Sequence, residues 1–184
     1  MKKKFNPRIK ARLRKNRQVL NKNIDNFFGW VKGAKLVELK ECNPEEDPVR
    51  PELDNKFRTG YGRKIFGVEY LGEIHAVMCF AYTNKIPKNV EELEKLSTDA
   101  FLQTAMRDQA GGQIAIAYTV WSKKKGGGKL IVKEVFKKIK KSNHLNRLVT
   151  LSPLTEMATN FHERNGAKLI QINETTQNFE YKVM

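Results

Sequence analysis

The sequence predicts an α/β fold in which helices flank one mixed sheet. Three observations lead to this prediction. Two adjoining apolar segments are typical of an antiparallel hairpin, a later apolar strand is followed directly by an amphipathic helix, and strands and helices then alternate to the end of the chain. With 184 residues, the chain is long enough to bury a core without disulfides or metals.

Residues 1–33 predict a basic amphipathic helix that is either an arm or a part of the same domain. Asn6 followed by Pro7 is a typical helix start, and Gly33 can end the helix. The first 22 residues carry ten Lys or Arg and no acid, within a chain of net charge +15. This block either binds an anionic partner such as nucleic acid or only keeps the protein soluble, and the sequence leaves both alternatives open. The apolar stripe consists of Ile9, Leu13, Leu20, Ile24, Phe27, Phe28 and Val31.

The segment from residue 34 to residue 82 predicts three strands. Residues 34–42 alternate as a strand does, and residues 43–63, with three prolines, indicate a long loop with room for one helical turn. Residues 64–70 and 73–82 are rich in β-branched and aromatic side chains. Because only two residues separate them, they predict a tight antiparallel hairpin.

Residues 34–184 are taken as one domain. Within it, a helical insert is expected at about 84–112, after the hairpin. Asn89 is the expected cap of its helix, and residues 113–121 are apolar enough for a central strand. The helix at 154–166 is expected to turn Leu154, Met157, Ala158 and Phe161 inward and to end at Gly166. The other predicted elements are a helix at 128–142 and strands at 146–153, 167–173 and 176–184.

The stretch KKKGGGKLIV, residues 123–132, lies between the central strand and the helix at 128–142. A glycine loop that leads into a helix brings backbone N–H groups together at the positive end of the helix dipole, which suits a pyrophosphate. Taken alone, these residues fit a solvated surface loop equally well. They match neither the Walker loop nor the Rossmann fingerprint.

Two landmarks resemble those of the Gcn5-related N-acetyltransferase (GNAT) superfamily. Lys123-x-x-Gly126-x-Gly128 resembles that family's Gln/Arg-x-x-Gly-x-Gly/Ala loop. About thirty residues later, MATNFHERNGAKLI resembles its Ala-x-x-Phe-Tyr-x-x-x-Gly-Phe motif, with His162 at the tyrosine and Ala167 at the aromatic position. The resemblance covers about residues 64–184. It implies a mixed, mostly antiparallel central sheet flanked by helices.

The resemblance also implies an acyl-CoA-dependent N-acyltransferase, with acetyl-CoA or another acyl-CoA as co-substrate and an amine as acceptor. The strand before the loop would hold the pantetheine arm, and a backbone N–H near Thr119 or Val120 would stabilise the oxyanion. No metal is expected, because the histidines and cysteines lack ligand spacing. The implied cofactor-binding residues are Thr119, Val120, Lys123, Lys125, Gly126, Gly127, Gly128 and Lys129.

The candidate catalytic residues are His162, Glu73 and Tyr118. His162 stands where the family often has its general acid; it could donate a proton or could be an ordinary hydrogen-bonded core residue. Glu73 and Glu69 flank the hairpin turn as candidate bases, with a solvated carboxylate as the alternative for each. Tyr118, on the central strand, could touch the acyl group or simply pack.

Two other functions stay open from the sequence. The basic helix suits a GNAT-like enzyme that modifies nucleic acid or a nucleic-acid-bound protein, or a non-catalytic scaffold that binds nucleic acid. No apolar run approaches the roughly eighteen residues of a membrane span, and Cys42 and Cys79 have no motif spacing. Without an apparent secretory leader, a cytoplasmic location is expected.

Overall fold

A computed structural model describes residues 12–19, 29–107 and 112–181. The chain divides into two units, Met1–Ala34 and Lys35–Met184. In the first unit, residues 12–19 and 29–33 are helical, as predicted for this segment. The predicted helix start at Asn6 and Pro7 lies outside the described residues.

Within the described residues, eight strands form one mixed sheet in the order β1-β2-β3-β4-β5-β8-β6, with β7 paired to β8. The pair β4–β5 is parallel, and every other pair in this sheet is antiparallel. The predicted mixed, mostly antiparallel sheet is therefore confirmed. The strands are β1 Lys35–Leu39, β2 Lys64–Tyr70, β3 Glu73–Thr83, β4 Ile114–Ser122, β5 Arg147–Thr150, β6 Ser152–Pro153, β7 Ala167–Ile172 and β8 Thr176–Tyr181.

The predicted hairpin is present as β2 and β3. Its last pair is Tyr70 with Glu73, so Leu71 and Gly72 form a two-residue turn. Both turn residues have positive φ, 54° at Leu71 and 82° at Gly72. Such a turn matches the right-handed twist of the flanking strands, which is why two-residue hairpins favour it.

In the second unit, the described residues form four α-helices, which pack against the sheet or at its ends. Helix α2 packs on β3, and α3 packs on β2, β3 and β4. The Asn89 side chain accepts a hydrogen bond from the Glu92 N–H at 2.8 Å, which confirms the predicted cap. The helices are α1 Asn55–Thr59, α2 Val90–Arg107, α3 Gly127–Lys140 and α4 Glu156–Arg164.

Two sequence predictions need correction here. Leu154 and Met157 were expected inward but are 48% and 78% exposed. Helix α4 begins only at Glu156, capped by Thr155, so Leu154 precedes the helix and Met157 stands on its first turn. The stretch 43–63 is also more helical than expected, because Asn43 caps a 3-10 turn and Asp54 caps α1.

The core side chains of the strands form one cluster with residues of α2 and of the 43–63 stretch. It includes Ile65 of β2, Cys79 of β3 and Ile116 of β4. Cys42 and Cys79 are free thiols. Among the described helices, none is long and apolar enough to cross a membrane.

Candidate functional site

The parallel strands β4 and β5 separate halfway along β4. They pair from Ile114 and Arg147 to Ala117 and Thr150, and the last bond of the ladder runs from the Leu151 N–H to the Ala117 carbonyl at 2.9 Å. Beyond this bond, β4 continues to pair with β3 as far as Ser122. The segment after β5 turns away from β4 and pairs with β8 through β6. The separation opens a wedge-shaped cleft at the centre of the sheet.

A β-bulge lies where the strands part. Cys79 pairs with Thr119 and Phe80 with Ala117, so Tyr118 is the extra residue on β4. A bulge changes which face the following side chains occupy. Tyr118 and Trp121 both belong to the core cluster and Val120 does not, although all three line the cleft.

The cleft has a volume of about 350 Å³. Because most of its walls are apolar, an aliphatic arm and an acyl chain are the parts of a ligand that it fits. Polar groups lie at its mouth and along one wall. The apolar lining residues include Met78, Val120, Val132, Leu148, Met157 and Phe161.

The predicted glycine loop lies at the mouth of this cleft. Gly126 has φ 84° and precedes the first turn of α3. A Cβ on Gly127 would lie 3.0 Å from Ser122 Cβ, and a Cβ on Gly128 would lie 3.1 Å from the Phe161 ring. The loop is therefore packed closely against its neighbours. The Gly127 N–H donates to the Lys124 carbonyl at 2.9 Å. The next amides of the first turn of α3, those of Gly128 and Lys129, have no acceptor within the helix and are suited to hold an anion.

The loop lysines surround the same mouth. Lys123 lines the cleft, and its Nζ lies 2.7 Å from Oε1 of Glu46. The ammonium of Lys124 lies 4.7 Å from the centre of the Tyr70 ring. Lys125 and Lys129 are exposed. Their combined charge adds to that of the helix N-terminus.

His162 lies in the wall of the cleft and is only 5% exposed. Its Nε2 lies 2.8 Å from Ser152 Oγ, and its Nδ1 lies 2.9 Å from Tyr181 Oη. Ser152 Oγ donates in turn to Thr150 Oγ1 at 3.0 Å. We call this hydrogen-bonded set of Tyr181, His162, Ser152 and Thr150 the His162 chain.

All four members of the His162 chain line the cleft. Since Ser152 donates to Thr150, it accepts from the His162 Nε2–H, and Nδ1 then accepts from the Tyr181 hydroxyl. Burial lowers the pKa of His162 to about 4 and raises the pKa of Tyr181. The His162 chain is therefore uncharged at neutral pH, and its hydrogen bonds can pass a proton between the hydroxyl groups and the imidazole ring.

The other two predicted catalytic residues lie differently. The Tyr118 ring packs edge-on against Phe57 at 5.9 Å in the core, and burial raises the pKa of its hydroxyl. Glu73 has a 78% exposed side chain beside the hairpin turn and is not among the described residues that line the cleft. Tyr118 nevertheless lines the cleft as well. The predicted site residues at the cleft are thus His162, Tyr118, Thr119, Val120, Lys123 and Gly128, and Glu73 lies outside it.

The sequence offers the loop at 43–63 as one of two segments that could shape the acceptor pocket, but it does not identify which residues of 43–54 contribute. The Asp47 carboxylate accepts from Thr119 Oγ1 at 2.8 Å and from Arg58 Nη2 at 2.9 Å. Arg50 donates to the carbonyls of Tyr118 and Leu151. Glu46 lines the cleft. Only the caps of this segment leave a local signal. Its contacts with Thr119, Tyr118 and Leu151 span about seventy residues or more.

Among the described residues, no cluster of three or more His, Cys, Asp and Glu side chains offers a metal site. Potential ligand-binding groups are instead the amides and lysines of the loop and the uncharged donors of the His162 chain.

Comparison with known proteins gives similarities of structure alone. No family model and no curated protein match the sequence. The GphF GNAT-like decarboxylase in complex with isobutyryl-CoA has a TM-score of 0.63 at 10% identity, over 82% of this chain and 100% of that one. The loading GNATL domain of CurA from Lyngbya majuscula has 0.56 at 13%, over 81% and 97%. A Bacillus subtilis acetyltransferase in complex with CoA has 0.55 at 12%, over 82% and 99%.

Proposed function

We propose that this chain, which has the GNAT fold, binds an acyl-CoA between β4 and β5 and transfers its acyl group to an amine. One observation carries the proposal: the opening between the two strands ends at a glycine loop and at the N-terminus of α3. Two of the similar structures are described in complex with CoA or isobutyryl-CoA, which supports this ligand class.

The proposed binding mode follows from the groups along the cleft. The pantetheine amides pair with the edge of β4 that β5 no longer covers. The pyrophosphate lies on the amides of Gly126, Gly128 and Lys129, at the positive end of the α3 dipole, because the Gly127 N–H already donates to the Lys124 carbonyl. Phosphate oxygens compete with Glu46 for the Lys123 ammonium, which now lies 2.7 Å from that carboxylate.

Acyl transfer requires an oxyanion donor, a proton for the departing thiolate and a base for the amine. A backbone N–H of β4 near Thr119 or Val120 serves the oxyanion. The thiolate takes a proton that passes along the His162 chain and is replaced from water, so that no hydroxyl of the set remains an oxyanion; a His162 of pKa about 4 is not itself an imidazolium at neutral pH. Glu46, which lines the cleft, accepts the amine proton once Lys123 turns to the phosphates.

A thiol-release assay with acetyl-CoA and a panel of small amines tests this proposal. We expect release of CoA that depends on the amine. Glu46→Gln should lower kcat by about tenfold or more, whereas the surface variant Glu73→Gln should leave kcat unchanged. Equal rates for wild type and Glu46→Gln would remove Glu46 from the mechanism.

A second chemistry, decarboxylation of an acyl-CoA that carries a carboxylate β to the thioester carbonyl, is favoured by the uncharged His162 chain and the apolar walls. A carboxylate is poorly solvated in such a cleft, and losing it as CO2 removes the charge. The C–C bond breaks, its electron pair forms the thioester enolate, and the His162 chain supplies the proton to the α-carbon. The similar GphF structure is itself described as a decarboxylase.

Incubation with malonyl-CoA in the absence of any amine separates the two chemistries. Decarboxylation predicts acetyl-CoA and CO2, with one deuterium in the product methyl group when the reaction runs in D2O. Transfer to an amine predicts no product under these conditions. A His162→Gln variant that keeps CoA affinity should lose most of the decarboxylation, since Gln cannot complete the proton path.

A further inference from the structure

Arg50 lies at the point where β4 and β5 part. Its Nε donates to the Tyr118 carbonyl at 2.9 Å, and its Nη2 donates to the Leu151 carbonyl at 3.0 Å. Tyr118 belongs to β4, whereas Leu151 directly follows β5. The guanidinium therefore spans the two separating strands, and at 8% exposure it is buried there.

The two carbonyls come immediately after the end of the β4–β5 ladder. The N–H of Leu151 makes the last ladder bond to Ala117, and the carbonyl of the same residue turns to Arg50 instead of to β4. A buried carbonyl needs a donor. Arg50 supplies the donors at this position, so the separation of the strands leaves neither carbonyl unpaired.

Arg50 is itself held in place by buried contacts. Its N–H donates to Asp47 Oδ1 at 3.2 Å, and its carbonyl accepts from Arg58 Nη2 at 2.8 Å. Asp47 and Arg58 form an ion pair at 2.9 Å with both side chains fully buried. The donors of Arg50 are thus fixed in direction by the surrounding chain.

We propose that Arg50 is a positioning residue that keeps β4 and β5 apart and so sets the width of the opening for the pantetheine arm. This inference rests on the proposed function, because the arm is that of an acyl-CoA. A planar guanidinium presents several N–H groups in a rigid fork and can serve two carbonyls at once. A lysine ammonium presents a point charge on a flexible stem, so it cannot hold the same spacing.

The test compares Arg50→Met and Arg50→Lys with the control Arg63→Met. Arg63 is also buried, at 4% exposure, and donates to the Phe57 carbonyl and to Ser97 Oγ, so its hydrogen bonds do not bridge β4 and β5. We expect Arg50→Met to raise the Kd for CoA and the KM for acyl-CoA by about tenfold or more. Arg50→Lys should give an intermediate rise, and Arg63→Met should stay within about twofold of wild type while losing similar thermal stability.

Amide hydrogen exchange of the ligand-free protein gives a second readout. If Arg50 keeps the strands apart, its loss lets them approach, and the amides of residues 119–121 exchange more slowly in Arg50→Met but not in Arg63→Met. Failure of the wild type to bind CoA would overturn the proposed function, whereas the exchange result would still decide the role of Arg50. Wild-type affinity and wild-type exchange in Arg50→Met would overturn the inference. Should Arg50→Met not fold, wild-type affinity in Arg50→Lys would overturn it equally.

Discussion

The hydroxyl of Thr119 donates its hydrogen to the carboxylate of Asp47, with Oγ1 2.8 Å from Oδ1 and 2.9 Å from Oδ2. Both residues are buried. The contact joins a loop near the start of the chain to the strand that borders the cleft. It also commits the Thr119 side chain to the loop, so the backbone of Thr119 rather than its hydroxyl is left for the proposed contact with a thioester.

Thr119→Val should destabilise the fold, because it removes a donor from a buried carboxylate and keeps the shape. We expect a loss of about 1–3 kcal/mol in the free energy of unfolding, measured by urea denaturation. Thr119→Ser keeps the hydroxyl and is the matched control. Equal stability of the Val and Ser variants would contradict the importance of this hydrogen bond.

His162 should make stability depend on pH below neutrality. Burial lowers its folded-state pKa from 6.5 to about 4, so the folded protein binds this proton less readily than the unfolded chain does. As pH falls from 6.5 towards 4, the unfolded state gains a proton that the folded state lacks, and stability decreases. Below about 4 both states are protonated and the dependence ends. Between pH 6.5 and 4, His162 should lower the free energy of unfolding by about 3 kcal/mol.

Urea denaturation of the wild type and of His162→Gln across this pH range isolates the contribution of His162 to the pH dependence of stability, since the two proteins share all other titratable groups. The variant should lose the extra decrease between pH 6.5 and 4. His144→Gln, at an exposed site, is the control and should follow the wild-type profile. A His162→Gln profile parallel to that of the wild type would show that the imidazole is not held neutral.

The glycine loop can be tested with two glycines of nearly equal backbone geometry. Gly126 has φ 84° at the cleft mouth and Gly72 has φ 82° at the hairpin turn. Gly126→Ala and Gly72→Ala should each lower the free energy of unfolding by about 1–2 kcal/mol, because alanine is strained in a left-handed backbone conformation. Only Gly126→Ala should also weaken CoA binding in calorimetry, because only that loop is proposed to hold the pyrophosphate. Equal CoA affinity in the two variants would count against the cradle.

The loop lysines should act on the phosphates of the ligand. The segment 123–141 carries nine lysines and a single glutamate, so a position far from the loop offers a matched control. Lys125→Gln should weaken CoA binding by about two- to fivefold at low salt and leave binding of pantetheine unchanged. Lys141→Gln, beyond the end of α3, should affect neither. A similar effect of both substitutions would indicate only a general attraction of the basic surface.

Local patterns predicted most of the fold. The hairpin of β2 and β3, the Asn89 cap and helix α3 each depend on residues close together in sequence, where propensity and periodicity act. The bulge at Tyr118 leaves no such mark. Simple alternation from Ile116 would place Val120 in the core, yet Val120 lines the cleft and Trp121 packs in the core.

The candidate site could be predicted in part. The glycine loop and His162 lie within short motifs, and both occur at the cleft. The contacts of Asp47 with Thr119 and of Arg50 with Tyr118 and Leu151 join residues about seventy positions or more apart. Pairing at such distances is fixed by the whole sheet rather than by a local pattern. The anionic partner proposed for the basic N-terminal residues stays a prediction.

Calorimetric titration of acetyl-CoA into the wild-type protein decides whether the cleft binds an acyl-CoA. We expect saturable binding of one ligand per chain, with affinity that falls as salt is raised and that is weakened in Gly126→Ala. An absence of heat at millimolar ligand, with a correctly folded protein, would contradict it.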